Sequence, residues 1–460
     1  MNPIRWITTT EHLAWQEREA PSLSAVSAMP SVLLQLDNPQ QTIEGFGASF
    51  NEMGWDALAL LDADAREDIL RDLFAPGAGL NLSLCRMPVG ANDFSRDWYS
   101  YDEQPGDLAL DHFSIEHDEQ TLLPFIHAAQ QQRPGLRLWA SPWSPPTWMK
   151  ANGHYAGAMP HPAFGNVQNG LREDQVGHEG TDMFLVDDAH LTAYARYFGR
   201  FIDAYAQRGI RIDTVMPQNE FNSAQPFPSC TWTPESLARF IRVLGPEMDA
   251  RNVQVFLGTL ERADDGMVTR VLDDPEASPW VRGLGAQWAG RGAVPFVHHD
   301  NPDLPIWQTE QECGDGRNDW RHARHAWQIM RAFFNNGATA YMYWNMALLE
   351  GGVSRWGWSQ NSFVVVDPHT REHRLTHEYQ LLKHVSHLVQ VGARVVPTLS
   401  YSGFENQLAF TNPDGSLVIV AHHDGGAPVD VSYLVGHQVL AVTLDPDSFH
   451  TFVIPPTSGD

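Results

Sequence analysis

The sequence predicts an α/β protein: a (β/α)8 TIM barrel with an attached small antiparallel β domain. Three observations carry this. Between residues 43 and 390, eight short apolar, β-branched runs alternate with amphipathic helical stretches. Several of these runs are almost wholly apolar, as expected of parallel strands covered on both faces. After residue 396 the pattern changes to short strands separated by turns, such as Asn412-Pro413-Asp414-Gly415. A doubly wound open sheet is the competing arrangement. It lacks its signature, because no Gly-x-Gly-x-x-Gly follows the first run.

The barrel strands are placed, in order, at 42–46, 82–88, 136–141, 214–217, 253–258, 283–288, 306–309 and 340–344. Between them, 62–74 opens with acids that suit a helix N-terminus. Residues 191–207 set Tyr194, Tyr197, Phe198, Phe201 and Ile202 at helical spacing. Thr233 and Pro234 read as the N-cap and first position of another helix. The longest insertion, 151–188, is rich in Gly, His, Asn and Pro and is expected as an extended loop over one end of the barrel. Strands of the small domain are placed at 407–411, 416–422, 429–433, 438–444 and 448–454, joined by an N-terminal strand at 31–36. The domains are then a barrel over 42–390 and a side domain of 1–41 plus 391–460.

Composition narrows the function. The 460 residues carry 56 acids against 30 Lys and Arg, a formal charge of −26. Such a surface repels nucleic acid and anionic membrane, so neither is an expected partner and a neutral substrate is. The 16 Trp, 22 Phe and 11 Tyr exclude a disordered chain. Three cysteines, Cys85, Cys230 and Cys313, do not make a disulfide framework. No stretch is long and apolar enough to span a bilayer, and the start has no apolar run of signal-peptide length. A cytoplasmic location is therefore the expectation, or a secreted or periplasmic one if an export signal has been trimmed. Nothing in the sequence specifies an oligomeric state.

Two runs carry the chemistry. Thr214-Val-Met-Pro-Gln-Asn-Glu220 is apolar and stops at an Asn-Glu pair; ninety residues on, Leu304-Pro-Ile-Trp-Gln-Thr-Glu310 does the same. Strands of one barrel that end in acids can aim both at one point, and a facing pair of carboxyls is the minimum equipment for cleaving a glycosidic bond. The other strand ends supply Glu52, Arg86, Asp93, Trp143, Trp148, Glu261, Gln287, Trp288, Trp344 and Asn345. A ring of indoles, amides and acids suits a sugar, whose CH faces stack and whose hydroxyl edges hydrogen-bond. Glu312 is the rival to Glu310 but has already left the strand. Trp148 and Trp288 can equally be wall or core residues, and half of a structural ion pair is the lesser alternative for Arg86. The groups His298-His299-Asp300, His322/His325 and His422-His423-Asp424 lack His-Glu-x-x-His spacing and read as solvated surface features, so no metal or other cofactor is expected. Cys313 has no partner pattern of a nucleophile.

The chain resembles glycoside hydrolase family 30, which includes glucosylceramidase-like enzymes. The matching segments are Gln41-Thr-Ile-Glu-Gly-Phe-Gly47, Arg86-Met-Pro-Val, Asn92-Asp-Phe-Ser95, Ser141-Pro-Trp-Ser-Pro-Pro-Thr-Trp-Met-Lys150, Gln218-Asn-Glu220, Thr309-Glu310 and Tyr343-Trp-Asn345. The resemblance implies a (β/α)8 TIM barrel with an attached antiparallel β-sandwich domain, and hydrolysis of β-glycosides with retention, with Glu220 as acid/base and Glu310 as nucleophile. It also implies that Asn219 bonds the 2-hydroxyl and that Arg86 keeps the nucleophile ionised. Trp143 and Glu52 would contact the far edge of the sugar, with Asp93 and Trp288 as further contacts and Trp344 as the floor. Two departures stand out: Phe221 where the family often has Pro, and Phe50-Asn51-Glu52 where glucosylceramidase-like members have a Thr-Asp type. A soluble β-gluco-, β-fuco- or β-galactoside cut from its non-reducing end is expected. A β-xylosidase or an endo-β-1,6-glucanase is the alternative within the family, and a carbohydrate-binding protein without catalysis the alternative outside it.

Overall fold

In the computed structural model, residues 3–161 and 168–456 are described; within the long insertion, 162–167 lie outside them. Eight parallel strands close a barrel: Gly45–Ser49, Leu84–Pro88, Arg137–Ser141, Thr214–Val215, Gln254–Leu260, Val281–Gln287, Ile306–Glu310 and Ala338–Asn345, the last pairing with the first. The barrel predicted from the apolar runs is thus present. A strand's side chains alternate across its two faces, so the barrel interior takes every second residue. Leu84, Trp139, Met216, Phe256, Trp307, Ala340 and Met342 fill its lower part as one buried cluster. Two residues further along their strands, Arg86 and Ser141 share the inward face of Leu84 and Trp139. The interior therefore changes from apolar packing to a polar layer towards the C-terminal ends. The first two strands meet closely: a Cβ on Gly47 would stand 1.6 Å from the Leu84 carbonyl oxygen, so only glycine fits there.

Helix starts follow the caps. Asp62 accepts from the Ala65 N–H ahead of Ala63–Phe74, and Thr233 from Ser236 ahead of Pro234–Asp249. The helix expected from 191 begins earlier, at Asp188, because Asp187 accepts from the Ala189 and His190 N–H groups. The fourth barrel strand is shorter than expected. It pairs only over Thr214–Val215, and the chain then leaves the ladder to exchange hydrogen bonds with the fifth strand, Gln218 N–H to Gly258 and Thr259 N–H to Gln218.

The side domain is two packed sheets. One orders Arg394–Val396, Gln407–Thr411, Leu417–His423, Ser448–Ile454, Arg5–Thr10 and Gln16–Glu17; the other orders Thr398–Ser400, Val32–Leu34, Val429–Val435, Gln438–Leu444 and Leu23–Ala25. Val32, Ile419, Tyr433, Leu440 and Phe452 form part of the core between them. The strand expected at 31–36 is present over Val32–Leu34, and a further N-terminal strand, Arg5–Thr10, enters the other sheet by pairing with Ser448–Ile454. Among the described residues no helix is long and apolar enough to cross a membrane.

Candidate active site

A cavity of about 530 Å³ opens at the C-terminal ends of the barrel strands. That size is ordinary for a small-molecule site. Asp93, Glu220, Glu261, Glu310 and Trp288 line it, with Gln225, Phe227, Glu312, Cys313 and Trp358 among the others. The two carboxyls read from the sequence therefore share one hollow, but they reach it differently. Glu310 is the last residue of its strand. Glu220 stands in a turn five residues beyond Val215, in the left-handed region at φ +49°, with its N–H on Thr259 Oγ1 at 2.9 Å. A non-glycine residue held there is strained, and strain of this kind collects where a side chain must be aimed. Ser223 N–H closes the turn on the Glu220 carbonyl at 2.9 Å.

Arg86 organises the floor. It is fully buried, ion-pairs with Glu310 through Nη1, and donates from Nη2 to Ser141 Oγ at 2.9 Å and Asn219 Oδ1 at 2.5 Å. Its guanidinium lies 4.1 Å from the Trp143 ring centre, 4.9 Å from Trp139 and 5.5 Å from Trp344, within cation–π range of each. Gln287 Nε2 bridges Asn219 Oδ1 at 2.8 Å and Glu310 Oε2 at 3.1 Å. Trp143 and Trp344 are buried behind this layer, their rings 5.2 Å apart.

These contacts set the protonation states. Burial raises the Glu220 carboxyl, and the Glu310 charge raises it further, to about 7, while a hydrogen bond from Gln225 Nε2 at 2.7 Å pulls it down. Burial also raises Glu310, but there the Arg86 charge and hydrogen bond oppose it. Glu310 is therefore the member of the pair that carries the charge and Glu220 the one that keeps a proton. Asp93 is held well above the usual carboxylate range by burial and by both acids, and its Oδ1 has no hydrogen-bond partner among the described residues. Gln225, which tunes Glu220, sits in an irregular loop and carries no sequence signal of its own. Removing its donor should raise the Glu220 pKa. In Gln225→Leu the basic limb of the kcat/KM–pH profile should move to higher pH; a limb that stays or moves down would remove Gln225 from this role.

Several sequence-named residues lie elsewhere. Glu52 does not line the cavity. Asn51 caps the helix Glu52–Ala59, which carries Glu52 off the strand end. There its carboxylate is occupied by His117 Nε2 at 2.9 Å, Thr121 Oγ1 at 3.1 Å and the Arg96 N–H at 2.9 Å. Trp148 packs in the surrounding core and donates to the Asp102 carbonyl at 3.0 Å. Glu312 lines the cavity, but its carboxylate is bonded to His325 at 2.6 Å. Three of the expected surface histidines are buried: His322 against the Glu312 carbonyl, His422 stacked 4.4 Å from Phe449 on the strand face that Val418 and Val420 turn towards the barrel core, and His423 with Nε2 on the Ala427 carbonyl at 2.6 Å. Among the described residues no group of three His, Cys, Asp or Glu is placed to hold a metal ion.

Residues 43–389 match the glycosyl hydrolase family 30 TIM-barrel domain, and residues 392–452 the family 30 beta sandwich domain. The lysosomal acid glucosylceramidase of Mus musculus is 28% identical over 91% of this chain and 82% of that protein. An endo-1,6-beta-D-glucanase of Aspergillus fumigatus is 25% identical over 90% of this chain and 86% of its own length. Among solved structures, SrfJ from Salmonella typhimurium superposes with a TM-score of 0.86 at 23% identity, over 99% of this chain and all (100%) of that one. An endo-β1,6-glucanase superposes at 0.81 and 20% identity, over 99% of this chain and 100% of that one, a likeness of fold.

Proposed function

The chain belongs to glycosyl hydrolase family 30, a family of retaining O-glycosyl hydrolases, and from that premise we propose that it is an exo-acting β-glycosidase for gluco-, fuco- or galacto-configured substrates. The observation that carries the reading is the asymmetry of the carboxyl pair. Glu310 is ion-paired to a buried arginine, while Glu220 is raised to about 7 in the same cavity. Glu310 attacks the anomeric carbon and forms the glycosyl-enzyme bond. Glu220 gives its proton to the leaving oxygen, so that the bond electrons depart with a neutral alcohol. Glu220, now ionised, takes a proton from water, and the resulting hydroxide equivalent displaces Glu310 with a second inversion.

The neighbours fit the same reading. The Asn219 carbonyl oxygen is committed to Arg86 and Gln287, which leaves its amide NH2 as the end that can reach a 2-hydroxyl. The unpartnered Asp93 oxygen is suited to a hydroxyl on the far side of the ring. A cavity of about 530 Å³ is the size of a small-molecule site, which favours a short glycoside over a long chain passing through. The endo-1,6-β-D-glucanase at 25% identity supports a second reading, endo action on β-1,6-linked glucan. A panel of nitrophenyl β-gluco-, β-galacto-, β-fuco- and β-xylosides beside β-linked oligosaccharides separates the two. Release of single sugars from the non-reducing end is expected; internal cleavage of a β-1,6-glucan with no action on the aryl glycosides would overturn exo action.

A further inference from the structure

A third carboxyl stands beside the catalytic pair with no part in the steps above. Glu261 follows the fifth barrel strand directly and is 3% exposed. Its position is fixed from the acid/base turn. Asn222 Oδ1 accepts from the N–H groups of both Glu261 and Arg262 at 3.1 Å, and Asn222 Nδ2 donates to the Arg262 carbonyl at 3.0 Å. Glu220 and Glu261 thus belong to one clamped unit. Glu261 lines the cavity; one carboxyl oxygen is 3.6 Å from Arg262 Nη1, and Oε2 has no hydrogen-bond partner among the described residues.

Resting on Glu220 as acid/base, we propose that Glu261 reads the leaving group by hydrogen-bonding its hydroxyls, so that the preferred aglycone is a second sugar. The proton donor must lie against the leaving oxygen. Glu310, Arg86 and Asp93 occupy the glycone end, so the groups that flank Glu220 on its other side face what departs. Beside Glu220 the cavity lining joins polar side chains, Glu261 and Gln225, the latter bonded to Glu220, to the aromatic rings of Phe227 and Trp358, which pack 5.8 Å apart. A pyranose offers hydroxyl edges to the first and CH faces to the second. Burial holds the Glu261 carboxyl near 10, so in the working pH range it is neutral and can both donate to and accept from a hydroxyl. An alkyl or aryl aglycone would cover this group without pairing it, and an unpaired buried polar group is costly.

The test compares wild type, Glu261→Ala and Glu261→Gln on two substrates of one glycone, its nitrophenyl β-glycoside and its β-linked disaccharide. In Glu261→Ala the ratio of kcat/KM for disaccharide over nitrophenyl glycoside should fall about 10- to 100-fold. Glu261→Gln, which keeps a donor and an acceptor, should restore most of that ratio. The basic limb of the pH profile should not move in Glu261→Gln, since a neutral group replaces a neutral group. A fall shared equally by both substrates, or a displaced basic limb, would show that Glu261 acts through the fold or through Glu220 and would overturn the assignment. An unchanged ratio would overturn it as well. The reading beneath it fails separately, through wild type that cleaves neither substrate or Glu220→Ala that keeps full activity.

Discussion

Glu310→Ala should abolish turnover of an aryl β-glycoside, with kcat lower by at least about 10⁴-fold, because the covalent step has no other nucleophile in reach. Of the other acids in the cavity, Glu312 has its carboxylate held by His325, and burial keeps the Asp93 and Glu261 carboxyls protonated. Azide then distinguishes the two acids by the configuration of the product. In Glu220→Ala the glycosyl-enzyme still forms from a good leaving group, and azide enters from the face the leaving group vacated, giving the β-glycosyl azide. In Glu310→Ala azide can occupy the space left by the carboxylate and attack the substrate itself, giving the α-glycosyl azide. Glu220→Ala should lose about 10²- to 10⁴-fold on a poor leaving group and far less on an activated aryl one, since only the former needs the proton. The opposite pairing of products with variants would exchange the two roles.

How much of this was legible depends on whether the determinant was local. The barrel strands show as apolar runs because each must be covered on both faces. Most small-domain strands show because alternation and turn residues are short-range signals; Gly415, at φ +81°, sits where the turn after Thr411 needs it. Arg5–Thr10 does not show. Its partner, Ser448–Ile454, lies at the other end of the chain, and a pairing of that range leaves no local trace. The site divides the same way. Glu310, Arg86 and Trp288 followed from the rule that strand ends form the mouth. Glu52 obeyed the same rule and went elsewhere, because Asn51 caps a helix there and the Glu52 carboxylate is taken by His117, Thr121 and the Arg96 N–H. Nothing in the sequence reveals that Glu220 takes a left-handed turn, since glutamate has no preference for it. The hydrogen bond from Gln225, which depends on that turn, was invisible for the same reason.

Arg86→Met should be the most damaging change away from the two acids. The guanidinium is fully buried among three indoles, and Glu310, Ser141 and Asn219 all take hydrogen bonds from it. Methionine keeps much of the apolar contact but removes the charge, and the partner left behind decides the outcome. Breaking a buried pair from one side typically costs about 3–5 kcal/mol, because the remaining charge is uncompensated. Here Glu310 can escape part of that cost by taking a proton. Arg86 opposes the upward push of burial on Glu310, so without it the Glu310 pKa rises and a smaller fraction is ionised at any given pH. The acid limb of the kcat/KM profile should therefore move to higher pH, and the maximum should fall by about 10²- to 10³-fold, as for loss of a preorganised electrostatic contact. Arg86→Lys should recover the charge but not the forked geometry that serves Glu310 on one side and Ser141 and Asn219 on the other, so only part of the rate returns. A double-mutant cycle with Glu310→Gln separates charge from packing. If the uncompensated carboxylate is what destabilises Arg86→Met, the double variant should unfold at higher denaturant than Arg86→Met alone. An acid limb that stays in place in Arg86→Met, with additive losses in the cycle, would mean that Arg86 serves packing and that another group keeps the nucleophile charged.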